Sequence, residues 1–322
     1  MRIAFFGTPE FATPALLALV GEGHDVVGVI TQPDRARGRS RSRLDPSPVK
    51  LVALDEGIPV LQPERARGPE FLAQLRALNP EISVVVAYGQ ILSADVIDAP
   101  PLGTVNIHAS LLPAYRGAAP IQAAIRDGRT ETGVTIMRMV PALDAGPVIL
   151  QLRAPIAPDE TAGELQLRLA EFGATAVIEA LALIALGKAT ETPQDEAIAT
   201  YAPKVDRDAA RIPFSAAGVA VARLVRAYDP KPGAWAVLGG LEVRFFGARA
   251  VDGPSGAPGE VLEAGDDGLL VGCGSGAVRI AEVHPAGKKR TAGAPGVGRP
   301  RGDGGVTGGD GGVWPLVGPP QG

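Results

Sequence analysis

Two polar side chains that could take part in catalysis lie two residues apart near the middle of the chain. Thr104 to His108 is predicted to be a β-strand, and alternation along a strand places Asn106 and His108 on one face. An amide N–H can stabilise a developing oxyanion, and an imidazole can carry a proton near neutral pH. From this spacing alone, a structural histidine beside a turn-capping asparagine is an equally good interpretation.

The elements around this pair follow a regular order in the first half of the chain. Short β-rich runs alternate with helical patterns, which predicts an α/β fold with a parallel sheet flanked by helices. Strands are predicted at Arg2–Phe6, Asp25–Thr31, Ile82–Ala87, Thr104–His108, Gly133–Met139 and Val148–Arg153, and helices at Pro14–Gly21, Pro48–Glu56, Pro69–Leu78, Ala118–Asp127 and Ala162–Leu186. The pair then lies at the carboxyl end of a strand, where open α/β sheets bind their ligands.

The second half of the chain has a different pattern. After Gly187 a polar stretch with scattered Pro and Thr predicts a linker over residues 189–205. Five short β-like runs spaced by Gly and Pro follow between 206 and 290 and favour a small β-barrel. Twelve of the 32 residues from 291 to 322 are glycine, which predicts a disordered tail. The first domain is therefore expected to cover residues 1–188.

Composition excludes several classes of protein. The single cysteine, Cys273, cannot form an intramolecular disulfide. The apolar run Ile3–Phe6 is too short for a signal peptide, and the longest apolar stretch, Ala174–Leu186, is too short for a membrane span. We therefore expect a cytoplasmic protein without a membrane contact. The turn after the first strand has one glycine where a dinucleotide fingerprint needs three, and no phosphate-binding Gly-Lys-Ser/Thr loop occurs.

Local charge differs from the formal net charge of −4. Residues 31–50 hold six basic side chains against two acidic ones, and residues 284–301 hold five basic and no acidic ones. Most such runs are solvated, but a flexible basic loop can also close on a phosphate backbone.

Longer motifs connect the chain to a known family. The run from Asn106 to Gln122 (Asn-Ile-His-Ala-Ser-Leu-Leu-Pro-Ala-Tyr-Arg-Gly-Ala-Ala-Pro-Ile-Gln) resembles the signature of the folate-dependent formyltransferases and hydrolases, and Leu143 to Gly146 resembles their aspartate loop. Further similar segments are Gly7–Ala12, Thr31–Asp34, Pro46–Lys50, Val86–Leu92, Thr200–Lys204 and Pro232–Trp235. The resemblance covers roughly residues 1–290 and is greatest to the branch that formylates methionyl-tRNA.

The resemblance implies a fold, a reaction and a site. It implies a Rossmann-like formyltransferase domain followed by an OB-like barrel, acting as a monomer that transfers the formyl group of 10-formyltetrahydrofolate to initiator methionyl-tRNA without a metal. Asn106, His108 and Asp144 are the implied catalytic residues. The implied folate-binding residues are Tyr88, Gly89, Gln90, Ile91, Leu92, Ser110, Leu111, Leu112, Pro113 and Pro141, and the implied tRNA-binding residues are Arg35, Arg39, Arg41, Arg43 and Arg116.

Alternatives remain at this stage. A related formyltransferase or hydrolase acting on another amine has the same first domain, and a non-catalytic RNA-binding protein could keep the fold. Tyr88 to Gln90 could be an ordinary strand-to-helix turn, and Arg116 could form only a local salt bridge. The chain also departs from the family's pattern after Arg290, where a Gly- and Pro-rich sequence replaces the expected closing strand and helix, as a divergent or frame-shifted terminus would.

Overall fold

The computed structural model describes residues 1–37, 43–238, 240–253, 256–293, 297–301 and 305–308. It divides into two compact units. The first comprises Met1–Pro120, Glu131–Pro155 and Gln166–Pro203, and the second comprises Ile121–Thr130, Ile156–Leu165 and the chain from Lys204 onward. None of the helices in the described part of the chain is long and apolar enough to cross a membrane.

The first unit contains a seven-stranded sheet. Its strands are β1 (Arg2–Gly7), β2 (Asp25–Ile30), β5 (Val60–Leu61), β6 (Ile82–Val86), β7 (Thr104–His108), β8 (Glu131–Arg138) and β9 (Val148–Pro155), in the order β5-β2-β1-β6-β7-β8-β9. Its helices are α1 (Thr13–Gly21), α2 (Pro48–Asp55), α3 (Pro69–Ala77), α4 (Ala94–Ile97) and most of α6 (Ala162–Ala185). A two-stranded ribbon, β3 (Arg35–Arg37) with β4 (Arg43–Asp45), follows β2.

The sheet is mixed. The expectation of a parallel sheet is therefore wrong at one edge. The five strands from β5 to β7 are parallel, whereas β8 pairs antiparallel with β7 and β9 pairs antiparallel with β8. The short loop of residues 139–147 explains the pairing of β8 with β9, because parallel neighbours need a crossover of a dozen or more residues. β7 and β8 are joined by the longer connection of residues 109–130. The β8–β9 hairpin places the loop that carries Asp144 next to β7.

The two faces of β7 have different neighbours. Ile107 faces α6, where a Cβ on Gly173 would come within 2.9 Å of its side chain. This close approach requires glycine in the helix and seals that face of the strand. Asn106 and His108 lie on the opposite face, as alternation predicts. The Rossmann-like topology therefore leaves this polar pair directed away from α6.

The second unit has an antiparallel sheet. Its strands are β10 (Ala234–Leu238), β11 (Leu241–Val251), β12 (Val261–Gly265), β13 (Gly268–Gly272), β14 (Ala277–Pro285) and β15 (Thr291–Ala292), with the order β10-β11-β14-β13-β12 and β15 paired to β14. The first five strands agree with the runs predicted from the sequence. The helix α7 (Gly218–Ala227), which packs on β11 and β14, was not predicted. The short helix α5 (Pro120–Arg126) belongs mostly to this unit.

The ordered chain continues past the predicted end of the second domain at residue 290. Thr291 and Ala292 pair with β14, and Gly293 N–H donates to the Ala281 carbonyl. Two further strands, β16 (Val297–Arg301) and β17 (Gly305–Gly308), pair with each other. The rest of the predicted disordered tail lies outside the described residues.

Arg290 connects this terminal segment to the second unit. Its guanidinium lies 3.9 Å from the centre of the Phe246 ring, 3.6 Å from the Asp229 carboxylate and 2.5 Å from that of Glu282. Burial raises the pKa of Asp229, while Arg290 and the Gly247 N–H act in the opposite direction. Removal of the cation would therefore leave a buried carboxylate with one remaining hydrogen bond.

Replacement of Arg290 by methionine is expected to lower the free energy of unfolding by about 1–2 kcal/mol at neutral pH. The loss should be smaller near pH 4, because a carboxyl whose pKa is raised by burial contributes stability below its unfolded pKa and loses it as the pH rises. Urea denaturation at both pH values measures the effect, with Lys289→Met as the exposed control. An equal loss at the two pH values would exclude a role for the Asp229 pair.

Candidate active site

His108 is fixed in orientation by the loop that follows its strand. Its side chain is 7% exposed, and its Nε2 lies 2.9 Å from the Tyr115 carbonyl oxygen. Because a carbonyl oxygen only accepts hydrogen bonds, Nε2 carries the hydrogen and donates it. In the neutral ring Nδ1 is then unprotonated, and this nitrogen is the one that can take up a proton.

The Asp144 carboxylate faces that nitrogen. Its Oδ2 lies 3.7 Å from His108 Nδ1, and the side chain is 16% exposed. The same oxygen accepts a hydrogen bond of 2.7 Å from the Gly117 N–H. The carboxylate therefore lies beside the ring nitrogen that does not carry a hydrogen in the neutral imidazole.

The loop between β8 and β9 has to fold back to bring Asp144 there. Met139 N–H donates to the Thr104 carbonyl at the start of β7, whereas Asp144 reaches His108 at the end of that strand. Asp144 has a φ of 47°, a left-handed conformation that Asp tolerates better than most residues. Gly146 lies so close to the Arg138 carbonyl that a Cβ would come within 1.8 Å of its oxygen. The loop therefore holds Asp144 beside His108 by means of a strained backbone at Asp144 and close packing at Gly146.

Asn106 completes the group on this face of β7. It is half-buried, and its strand neighbour across β8 is Met137. Among the described residues, no hydrogen bond holds its side-chain amide. Its N–H groups are therefore available to an acceptor that binds beside His108.

The loop after His108, which the sequence analysis assigned to folate binding, is held from the neighbouring strands. Ser110 is fully buried and its hydroxyl donates to the Ala114 carbonyl. The Thr135 hydroxyl donates to the Ser110 carbonyl and accepts from the Leu112 N–H, and Gln151 donates to both Leu112 and Thr135. Leu111 packs over Gly133. These contacts fix the path of the chain from Ser110 through Pro113.

The predicted folate segment after β6 presents backbone and one side chain to solvent. Ala87 and Gly89 have positive φ values of 46° and 88°. The Tyr88 ring is 2% exposed and packs edge-on against Phe6 at 5.5 Å, while its carbonyl accepts from the Thr8 hydroxyl. Tyr88 can therefore meet a ligand only through its backbone.

The remaining predicted folate residues differ in exposure. Leu92 is buried, whereas Ile91 is 86% exposed and Pro141 is exposed. The Gln90 side chain accepts from the Ala66 N–H and donates to the Glu64 carbonyl, so it supports the turn. Ile91 and, in the Asp144 loop, Leu143 at 60% exposure are the apolar side chains open to a ligand.

The predicted tRNA-binding arginines fall into two groups. Arg35 is exposed at the start of the β3–β4 ribbon, Arg39 and Arg41 lie outside the described residues, and the side chain of Arg43 is not described. Arg116, in contrast, is 2% exposed and forms two hydrogen bonds of 2.8 and 2.7 Å with Glu196. The structure therefore has the local salt bridge that the sequence left as an alternative for Arg116, and a direct phosphate contact would have to break it.

The base of the basic loop is held by a polar network. Lys50 Nζ lies 2.6 Å from Asp34 and 2.7 Å from Gln62, and Gln62 also donates to Asp34. The hydrogen bond from Lys50 lowers the pKa of Asp34, which is therefore a structural anion. In the described ranges, no group of three or more His, Cys, Asp or Glu side chains is placed to hold a metal ion.

Comparison with known proteins identifies the family. A family model described as formyl transferase matches residues 1–181, and a second one, formyl transferase C-terminal domain, matches residues 204–295. The chain belongs to the formyl transferase family.

Similar members of the family are found over almost the full length of the chain. A methionyl-tRNA formyltransferase of Moorella thermoacetica is 49% identical over 291 residues, which are 90% of this chain and 93% of the relative. A protein of the same name from Pseudomonas fluorescens is 50% identical over 89% of this chain and 90% of its own. Among solved structures, HypX from Aquifex aeolicus in complex with tetrahydrofolic acid has a TM-score of 0.65 at 22% identity over 91% of this chain and 46% of its own, a likeness of fold.

Three residues that support the site of this formyl transferase were not found by the sequence analysis. Thr135 and Gln151 hold the loop after His108, and Gln194 donates to the Asp144 and Gly146 carbonyls. Strand pairing could have indicated Thr135, because it lies opposite His108 in the pair of β7 with β8. None exists for Gln194, which is 50 residues from Asp144 in sequence.

The buried hydroxyl of Tyr88 gives a test of how this segment is built. It has no hydrogen-bond partner within the described structure, and burial raises the pKa of the phenol to about 12. Tyr88→Phe is expected to stabilise the protein by about 1 kcal/mol, since an unsatisfied buried hydroxyl is removed. The variant should also lose less stability as the pH rises from about 10 to 12. In the parent protein the phenol of Tyr88 ionises more readily in the unfolded state than in the folded state, which favours unfolding at high pH, and phenylalanine has no such group.

Thermal unfolding at pH 7 and in alkaline buffer measures both effects for Tyr88→Phe. The Michaelis constant for the folate donor should stay unchanged, since the ring faces the core. A several-fold rise in that constant would show that the hydroxyl contacts the donor.

Proposed function

We propose that this formyl transferase moves the formyl group of 10-formyltetrahydrofolate onto the amino group of methionine carried by initiator tRNA. The observation that carries the proposal is the likeness to curated methionyl-tRNA formyltransferases, about half identical over nine-tenths of the chain. The placement of Asn106 and His108 on one face of β7, with the Asp144 carboxylate of the neighbouring loop beside His108, supports the chemistry.

The reaction forms one C–N bond and breaks another. The methionyl amine attacks the formyl carbon, and the carbonyl oxygen becomes an oxyanion to which the Asn106 amide donates. His108 takes the proton of the attacking nitrogen at Nδ1, beside Asp144. It then delivers that proton to N10 of the folate as the bond to the formyl carbon breaks. Formyl and proton thus exchange places between the two nitrogens, and no other reactant is needed.

The folate donor is proposed to lie between the turn after β6 and the Asp144 loop. The exposed backbone of residues 87–89 offers hydrogen-bonding groups for a pterin edge, and Ile91 and Leu143 offer apolar surface. Such a mixture of apolar walls and a few polar groups is typical of small-molecule sites. Ser110 to Pro113 would contribute through the fixed path of their backbone.

The domain limits and the setting of the enzyme are also proposals. We propose a catalytic domain over 1–188, a connecting segment over 189–205, a second domain over 206–290 and a tail over 291–322, in a cytoplasmic monomer. The boundary of the two compact units between Pro203 and Lys204 supports the start of the second domain, and residues 189–203 belong to the first unit. The continuation of β15 to Ala292 extends the ordered part of the second domain slightly.

Direct assay tests the function. Purified protein is expected to formylate methionyl-tRNA with 10-formyltetrahydrofolate and to leave free amines, amino sugars and ribonucleotide amines unchanged. Hydrolysis of the donor without transfer, or faster transfer to another amine, would favour the related hydrolases or formyltransferases instead.

Single substitutions at the catalytic residues should depress turnover and preserve the fold. Asn106→Ala is expected to lower kcat about 10²–10³-fold through loss of the oxyanion donor. His108→Ala should cost about 10²–10⁴-fold through loss of the proton carrier. Asp144→Asn tests the carboxylate with its shape kept, since Asn also tolerates a positive φ. Melting temperatures within a few degrees of the parent are required for this interpretation.

His108 and Asp144 should behave as a unit. The double variant His108→Ala, Asp144→Asn is expected to be little slower than His108→Ala alone, because the carboxylate acts on the imidazole. Single-turnover rates of the four proteins measure the coupling. Full additivity of the two losses would show that Asp144 acts independently.

The basic loop is proposed to bind the phosphate backbone of tRNA. Replacing Arg39, Arg41 and Arg43 by alanine should weaken methionyl-tRNA binding and flatten its salt dependence. The slope of the logarithm of the binding constant against the logarithm of the salt concentration should become less negative by roughly 0.9 for each phosphate that is no longer neutralised on a B-form duplex, and approximately so on RNA. The folate Michaelis constant should not change.

A triple variant of Arg65, Arg67 and Arg76, which are exposed elsewhere in the first unit, controls for net charge in this experiment. Equal slopes in the two triple variants would make the loop a solvated segment only.

A further inference from the structure

The segment from Thr192 to Ala202, which the sequence predicts to be linker, is bound to both loops of the site. Thr192 and Val148 exchange backbone hydrogen bonds of 2.8 Å at the end of the Asp144 loop. The Thr200 hydroxyl accepts from the Tyr115 N–H, and the Thr200 carbonyl accepts from Arg116. The segment therefore joins two loops that come from different parts of the sheet.

Gln194 makes the central contact of this segment. Its Nε2 donates to the Asp144 carbonyl at 2.8 Å and to the Gly146 carbonyl at 2.7 Å. Its Oε1 accepts from the buried Arg116 guanidinium at 3.1 Å from Nε and 2.9 Å from Nη2. One side chain thus uses both of its amide hydrogens and its oxygen.

These contacts complete a ring around Asp144. The Gly117 N–H donates to the Asp144 carboxylate and so holds its side chain. Arg116, the residue before Gly117, binds Gln194, and Gln194 in turn donates to the Asp144 backbone carbonyl. The left-handed conformation of Asp144 is unfavourable for a residue with a side chain and persists only where the surroundings enforce it. The Gln194 hydrogen bonds provide that enforcement.

The chemistry of the contact selects an amide. The carbonyls of Asp144 and Gly146 require a donor, and the guanidinium requires an acceptor. Glutamate would keep the acceptor and lose the donor, while leucine would lose both with little change in volume. Glu196 already supplies Arg116 with a charged partner, so Gln194 is not needed for charge balance.

We propose that Gln194 is a positioning residue for formyl transfer, which holds Asp144 at the distance from His108 that proton uptake requires. The inference rests on the proposed function for its kinetic part only. Displacement of a catalytic group by about 1 Å can cost on the order of 10²-fold in rate, which sets the scale of the effect.

Kinetics of three variants test the proposal. Gln194→Leu and Gln194→Glu should each lower kcat for formyl transfer about 10–100-fold with a nearly unchanged folate Michaelis constant, since the loss lies in the transition state. Gln74→Leu, the same change at an exposed position of α3, should match the parent. Parental kcat in Gln194→Glu would overturn the proposal, because the donor function would then be dispensable.

A double-mutant cycle separates positioning from general structural support. In the Asp144→Asn background, Gln194→Leu should lower kcat by less than about threefold further, because its effect passes through the carboxylate. Independent multiplication of the two losses would assign Gln194 a structural role alone.

Hydrogen exchange supplies a measurement that does not depend on activity. Backbone amides of residues 140–147 should exchange faster in Gln194→Leu than in Gln74→Leu, while amides of β1 and β6 stay equally protected. Unchanged exchange in the loop would overturn the positioning role even if catalysis were lost. Faster exchange in a protein without formyl transfer would instead retain the structural inference and reject the proposed reaction.

Discussion

The hydrogen bond from the His108 ring to the Tyr115 carbonyl determines how the rest of the site can work. It commits Nε2 to a backbone oxygen and leaves Nδ1 without a hydrogen in the neutral ring. The carbonyl can accept this bond only because residues 109–115 follow one path, which Thr135 and Gln151 hold from the neighbouring strands. The tautomer of one imidazole therefore depends on side chains of the neighbouring strands.

A second constraint comes from the hairpin at the edge of the sheet. A parallel connection after β8 would have led the chain away through a long crossover, whereas the antiparallel turn between β8 and β9 returns it beside His108. The loop at the turn then has to fold back over β7, and its close packing at Gly146 and its left-handed residue at Asp144 are the result. Asp144 and His108 thus meet because of the sheet topology as much as because of the two residue types.

Sequence patterns predicted those features that local periodicity decides. Alternation along Thr104 to His108 placed Asn106 and His108 on one face, and the short runs of the first unit appeared as strands in the expected positions. The helix α7 was missed because its alternating Val and Ala residues imitate a strand, although Gly218, Val221, Ala222 and Val225 bury one helical face. Tyr88 was assigned to folate binding from the family resemblance, which does not show that its ring lies in the core and that positive φ values redirect the chain after β6. Arg116 stayed ambiguous because its partner is 80 residues distant.

The attachment of Thr192–Ala202 to the first unit changes where this enzyme can be divided. Composition suggests that a stand-alone catalytic module ends near residue 188, yet the chain contributes to the site as far as Ala202 and leaves the unit at Pro203. A recombination that joined the first domain to a different partner at residue 188 would transfer Asn106, His108 and Asp144 without Gln194, which hydrogen-bonds to the Asp144 loop. Modular exchange in this architecture is therefore restricted to junctions after residue 203, and the stretch that looks most like a spacer is inherited with the catalytic domain.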